Sequence, residues 1–359
     1  MSAFQQACAA DASDILDLFR RTPQRGRVVL NFEREPDYFL GSEVICEQPD
    51  TRVARQPSGE LVMLYGIGSR TLYINGAAQA VRYAHDLRVA EQARGGLLIA
   101  RMGRQVREMV AAEELIQTVI LSENSASLNS VASGRAGLPT YYPCGEIETS
   151  LVFSTPRRRH HGIEVRRASP ADLASMQALH DELAPSRQFY PRYRFGALLE
   201  NDAYFRGVSI DDFWLAFRGE QLVGMAGLWD QKSFKQTRVL AYPRGLSGLR
   251  HLWNLWARLF GGLQLPPAGG TINYLMLHSL LVRDNDSAVF DAMLSDMVQQ
   301  RGGHRAAISV GFFVQDPLRQ ALRGYRRQTM QSRHFLIGFH DDPRQRLDQR
   351  LPYIELARL

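Results

Sequence analysis

Lysine is almost absent from this chain: Lys232 and Lys235 are the only two among 43 basic residues in 359. Cysteine is scarce too, with Cys8, Cys46 and Cys144, an odd number lacking CxxC or Cys/His spacing. That argues against a disulfide framework and a thiolate metal site, and it fits a reducing, cytoplasmic setting. The longest uncharged stretch, Leu259 to Val282, contains Pro266, Pro267 and four glycines, which is poor material for a membrane-spanning helix. The first twenty residues lack a cationic start followed by an apolar run, and Asp11, Asp14 and Asp17 come early, so no signal peptide is expected. Trp253, Trp256 and Phe260 form an aromatic helical face that is expected in the core, so no membrane partner is anticipated.

Apolar residues make up 45%, charged residues 22% and aromatics 9% of the chain, the balance of a globular protein. Its 359 residues predict two compact units, each able to bury a core. The 41 arginines (43 basic residues less two lysines) alternate with acids along the whole length. A nucleic-acid footprint would cluster on one element, and Arg157-Arg158-Arg159 is too short a run, so a nucleic-acid partner is not expected. Up to residue 153 there are 15 arginines and 18 acids, net −3, which leaves +9 of the total +6 for the remainder.

Residues 154–162, STPRRRHHG, form a basic linker between residues 1–153 and 163–359. Adjacent His160 and His161 have no third ligand in spacing, so no metal is expected there. In the first unit, Ile15, Leu16, Leu18 and Phe19 form a helical face behind the capping candidates Asp11 and Ser13. Strand-like Val28 to Phe32 follows. Thr51 to Arg55 and Leu61 to Tyr65 then flank a turn at residues 56–59, and Thr71 to Ile74 and Ala80 to Tyr83 flank Asn75-Gly76, a strong hairpin signal. Leu87-Arg88-Val89 ends a strand, Arg94-Gly95-Gly96 follows, and Leu97 to Val110 has a helical period before a strand at Ile116 to Leu121. Glycines opening a helix bring bare backbone amides to the positive end of its dipole, where phosphate binds.

The second unit repeats that order in outline, which suggests duplication. Ser169-Pro170-Ala171-Asp172 starts a helix, and Phe213 to Phe217 and Leu222 to Trp229 flank a turn. Tyr274 to Val282 reads as strand, Ser287 to Gln299 as helix, Ala306 to Phe313 as strand and Asp316 to Tyr325 as helix. The stretch after its strand, Leu280 to Phe290, has no glycine and carries Asp284 and Asp286, which would repel a pyrophosphate.

With this strand, glycine turn, helix, strand and Asn124, the first unit resembles the GNAT superfamily of acyl-CoA-dependent N-acyltransferases over residues 10 to 153. The family's Arg/Gln-x-x-Gly-x-Gly/Ala turn is matched only in part, because Leu97 takes a glycine or alanine position. The resemblance implies an α+β fold of two GNAT-like domains, each a mostly antiparallel sheet flanked by helices, the second without a phosphate loop. It implies acetyl-CoA or another acyl-CoA as co-substrate and a small-molecule or peptide amine as acceptor, with no metal. The backbone around Leu87, Arg88 and Val89 would meet the pantetheine arm. Arg94, Gly95, Gly96 and Leu97 would hold the pyrophosphate, with Asn124 near the thioester.

Direct transfer from thioester to amine also needs a base and an acid. Glu33 is the first candidate for the base, with Glu35 and Asp86 beside it, and Tyr141 and Tyr142 are the candidates for the acid. Cys144 has no histidine beside it to activate it as a nucleophile. Two other readings share these residues: a non-catalytic acyl-CoA sensor or scaffold, and a tandem GNAT-like transferase that uses aminoacyl-tRNA.

Overall fold

In the computed structural model, residues 4–26, 28–95, 97–125, 128, 138–153, 160–260, 262–301 and 306–359 are described. The N-terminal half runs β1 (Gln5–Gln6), α1 (Ala12–Arg21), β2 (Val29–Glu33), α2 (Tyr38–Ile45), β3 (Thr51–Arg55), β4 (Leu61–Ile74), β5 (Ala77–Val89), α3 (Leu98–Met109), β6 (Leu115–Leu121) and β7 (Thr140–Val152). The C-terminal half runs β8 (Glu164–Arg167), α4 (Leu173–Leu183), β9 (Arg187–Gln188), β10 (Phe213–Arg218), β11 (Gln221–Trp229), β12 (Gln236–Ala241) and α5 (Arg244–Phe260). It continues through β13 (Tyr274–Val282), α6 (Ser287–Arg301), β14 (Ala307–Phe313), β15 (Arg327–Gly338) and β16 (Leu351–Pro352).

Local chemistry accounts for most of these elements. Asn75 and Gly76 take φ of 52° and 86°, the left-handed pair that a two-residue hairpin between β4 and β5 requires. Helix α1 buries Ile15, Leu16, Leu18 and Phe19 on one face. The carboxylate of Asp11 does not cap that helix; it accepts from the Cys8 amide at 2.9 Å and from Arg55, closing the turn before it. The Ser169–Asp172 capping box forms as expected and leads into α4. The segment expected as a helix at Asp316 to Tyr325 is a 3-10 run, Pro317–Gly324, which buries Leu318 and Leu322. Helix α2 falls between Phe32 and Thr51, where the sequence analysis names no element.

Twelve strands form one sheet in the order β1-β3-β4-β5-β6-β15-β7-β14-β13-β11-β10-β8. Each half is mostly antiparallel with one parallel pair, β5 with β6 and β13 with β14. The halves are interleaved at the centre. Strand β7 leaves the N-terminal half to pair with β14, and β15 leaves the C-terminal half to pair with β6, while β7 and β15 pair with each other. A second link is the two-stranded sheet of β2 and β12. Of the segment expected as the linker, residues 154–159 lie outside the described ones.

One expectation is reversed. Trp253 and Trp256 on α5 are not in the core: they are 39% and 43% exposed, and Leu249, Leu252, Leu255 and Leu259 stand out beside them. The side chain of Phe260 is outside the described ones. Among the described residues, no helix is long and apolar enough to cross a membrane.

Candidate active site

Strands β5 and β6 stay paired only over Val81–Tyr83 against Leu115–Gln117. Beyond that β5 bends away at Asp86, whose φ is 50°, and its register with β4 slips between Leu64 and Gly66. A wedge-shaped gap therefore opens toward Val89 and Leu121. The C-terminal half repeats the device: β13 and β14 pair over Tyr274–Met276 against Ala307–Ser309, and β13 bends at Ser279, with φ of 51°. His85 lies opposite Gly66 and His278 opposite Gly227. A Cβ on either glycine would stand 2.4 or 2.2 Å from the imidazole, so glycine is what lets each ring lie flat on the neighbouring strand. The sequences match at these positions, His85-Asp86-Leu87-Arg88-Val89 against His278-Ser279-Leu280-Leu281-Val282.

At the bend of the N-terminal half, His85 and Asp86 form a dyad. Burial opposes ionisation of Asp86, but Arg34, the His85 hydrogen bond and Arg88 outweigh it and hold the carboxyl well below the usual carboxylate range. The ionised carboxylate can only accept, so His85 Nδ1 donates to Asp86 Oδ2 at 3.2 Å, and in the neutral ring this makes Nε2 the acceptor. That Nε2 is buried and has no partner among the described residues. Buried Arg34 reaches both Asp86 oxygens, at 3.1 and 3.3 Å. Beside them, burial and the nearby Arg34 push the Lys235 ammonium down to about 7, and Lys235 donates to the backbone oxygen of Leu359. Arg70 lies over the Tyr83 ring and donates to Gln117 at 3.1 Å, and Gln117 in turn donates to His334 Nε2 on the exchanged strand β15.

The loop after β5 delivers its amides to the open end of the gap. Glu91–Ala93 make a short turn, Arg94 is exposed, and Gly95 takes φ of 76° with nothing near its missing Cβ. Helix α3 then starts behind Leu97 with no side-chain cap and no acid in its first turn. Its free N-H groups and dipole suit an anion. Gly96 lies outside the described residues. Asn124 sits just past β6, where its carbonyl accepts from the Leu128 amide at 3.1 Å and begins a helical turn. Residues 126, 127 and 129–137 are outside the described ones. Of the expected cofactor residues, Leu87, Val89, Arg94, Gly95, Leu97 and Asn124 lie at or just beyond the C-terminal ends of one parallel strand pair. Arg88 contributes differently: its side chain turns away, lies over Phe19 and donates to the Thr22 carbonyl at 2.8 Å.

The gap of the C-terminal half is filled by the chain itself. Glu355 accepts from the Ser279 amide at 2.8 Å and from the hydroxyls of Tyr193 and Tyr353. The Tyr353 hydroxyl accepts from the Leu280 amide at 3.3 Å, and Leu356 lies against Gly311 of β14. The helix that follows is closed as well, because Asp286 accepts from the Ala288 amide at 2.8 Å. By the shared register, the N-terminal counterparts of the Ser279 and Leu280 amides are those of Asp86 and Leu87. Among the described residues, no side chain bonds to the backbone of Leu87 or Val89.

Of the acid and base candidates from the sequence, Asp86 sits at the bend, and the others have different surroundings. Glu33 is buried on β2, bound by Arg238 at 2.8 and 2.9 Å and by Asn31, so it ties β2 to β12. Tyr141 and Tyr142 pair with Ile337 and Leu336 of β15, which pair in turn with Ile116 and Gln117. They sit two strands from the gap, level with its closed end. Tyr141 packs on Phe335, burial pushes its hydroxyl far above the ordinary range, and Tyr142 lies under Arg344. The structure therefore does not bring Glu33, Tyr141 or Tyr142 to Leu87 and His85. His85 was missed by the sequence reading, although the His-x-Leu-x-Val repeat marks it.

No protein-family model and no curated protein matches this sequence. Solved structures do match in shape. A GCN5-related glucosamine N-acetyltransferase region in a fungal multi-domain GH3 beta-N-acetylglucosaminidase aligns with TM-score 0.60 at 11% identity. That match covers 93% of this chain and 38% of the other, so the chain spans about two fifths of that protein's length. Saccharomyces cerevisiae N-myristoyltransferase with bound myristoyl-CoA aligns with TM-score 0.56 at 10% identity, covering 96% and 80%. A GCN5-related N-acetyltransferase from Anabaena variabilis ATCC 29413 aligns with TM-score 0.52 at 11% identity, covering 93% and 71%.

Proposed function

We propose, from the GNAT fold that this chain carries, that it is an N-acyltransferase using acetyl-CoA or a related acyl-CoA as donor and a small-molecule or peptide amine as acceptor. The observation that carries this reading is the His85–Asp86 dyad, set at the bend where β5 and β6 part. The residues around the gap fit the donor: amides of Asp86 and Leu87 suit the amides of pantetheine, and Arg94, Gly95 and the first turn of α3 suit its pyrophosphate. When bound, acyl-CoA supplies a thioester carbonyl carbon for the amine to attack.

The chain's own part is to move and hold a proton. His85 Nε2 takes one from the ammonium of the acceptor, freeing the lone pair that forms the new N–C bond, and returns it to the thiolate released as the C–S bond breaks, while Asp86 holds the ring in the required tautomer and balances the charge it gains. Arg34 keeps Asp86 in place. Calorimetry with CoA, combined with thiol-release assays over a panel of amines, tests this reading. Tight CoA binding with turnover abolished in His85→Gln is the expected result; tight binding with no turnover on any amine would leave an acyl-CoA sensor.

A further inference from the structure

We propose that α5 is an interfacial helix that docks this protein on an anionic lipid surface. It belongs to the C-terminal half alone: β4 and β5 are joined by Asn75-Gly76, whereas the equivalent β11 and β13 are separated by a long insertion that carries β12 and α5. Side-chain hydrogen bonds tie α5 to the segment that follows it. Trp253 Nε1 donates to the Leu263 carbonyl at 3.0 Å, Asn254 exchanges two bonds with Leu265 and Arg250 donates to Leu265. Ala257 is buried on that side. The other side is a stripe of Leu249, Leu252 and Leu259 at helical spacing, with Leu252 and Leu259 65% and 71% exposed, and Trp256 stands beside it under Arg326.

Charge decides what covers this stripe. From Gln231 to Arg283 the sequence contains no aspartate or glutamate, while Arg258 is exposed on the helix and Arg326 lies over Trp256 beside the stripe. A two-fold contact with a second copy would set the same arginine-flanked face against itself with no acid on the element to offset it. Exposed leucines, tryptophans and flanking arginines on one helix are the composition that settles at the boundary between headgroups and acyl chains, with the cations on the phosphates. The helix lies on the surface and does not cross it. This proposal is independent of the acyl-transfer reading.

The test is flotation of the full chain with vesicles of phosphatidylcholine alone or mixed with phosphatidylglycerol. Of the four tryptophans, Trp214 and Trp229 are fully buried, so a blue shift of emission on vesicles reports Trp253 and Trp256. Binding about tenfold or more tighter to the anionic vesicles, weakened by salt, is expected. The exposed substitutions Leu252→Ser and Leu259→Ser together abolish it, and Arg258→Glu weakens it, with unchanged melting temperatures. Failure of the protein to bind anionic vesicles overturns the proposal, as does binding that these variants leave intact. A dimer in solution that Leu252→Ser and Leu259→Ser dissociate also overturns it in favour of a second copy.

Discussion

The two halves bend a strand past a histidine in the same way, and they differ in what the bend faces. In one, His85 is followed by Asp86, the strand amides look into an open gap, and α3 begins uncapped. In the other, His278 is followed by Ser279, whose hydroxyl lies 3.0 Å from the ring, Glu355 and Tyr353 take the strand amides, and Asp286 caps α6. The strand amides and the helix start left open in the first half are taken up by protein in the second, whereas His278 Nε2, like His85 Nε2, has no partner among the described residues. A repeated scaffold can thus keep its shape twice while only one copy keeps the unsatisfied donors and the carboxylate-backed base that chemistry requires.

The sharpest way to break this comparison is to exchange the histidines. His85→Gln is expected to lower kcat by about 10²- to 10⁴-fold with CoA affinity nearly unchanged, whereas His278→Gln retains turnover; steady-state kinetics with calorimetry checks both. A smaller effect should follow from unplugging the second gap. Glu355→Ala leaves the Ser279 amide unpaired and takes the acceptor from two tyrosine hydroxyls, which keep only their donors Arg358 and the Leu280 amide, and it is expected to cost about 3 kcal/mol in urea denaturation, with CoA stoichiometry still one. Binding of a second CoA would show that the plug alone separates the halves.

Acid stability sharpens the contrast further. Burial, with Arg358 nearby, pushes His278 down from 6.5 to about 3. Between those values the unfolded chain binds a proton that the folded one does not, so stability falls as pH drops through this window. The slope is about 1.4 kcal/mol per pH unit from this group, and it should vanish in His278→Gln melts. The smallest expected effects come from the helix starts. Asp286→Ala should cost about 1 kcal/mol by thermal melting without creating a CoA site, and Arg94→Ala should weaken CoA binding severalfold while leaving the melting temperature unchanged.

Much of the N-terminal site was legible because it is local: β5, the loop through Gly95, α3 and β6 follow one another within Ala77 to Leu121. The turn chemistry of Asn75-Gly76 and the apolar period of α3 report on their own neighbourhoods. The pairing of β15 with β6 was not legible, since no local pattern states which distant strand will be its neighbour. Nor does a helical period say whether protein covers the apolar stripe, which is why α5 was expected in the core. Glu33 looked available until Arg238, remote in sequence, occupied it.

The exchange of β7 and β15 has a consequence for how the chain is made. During synthesis β6 waits for its outer partner until Arg327 to Gly338 has left the ribosome, so the first half cannot complete its sheet as a finished unit. The same weave fixes the fate of a nicked molecule. Cleavage within residues 154–162 severs the backbone but leaves β7 held by β14 and β15. The two fragments would stay locked together and migrate as one particle until denatured.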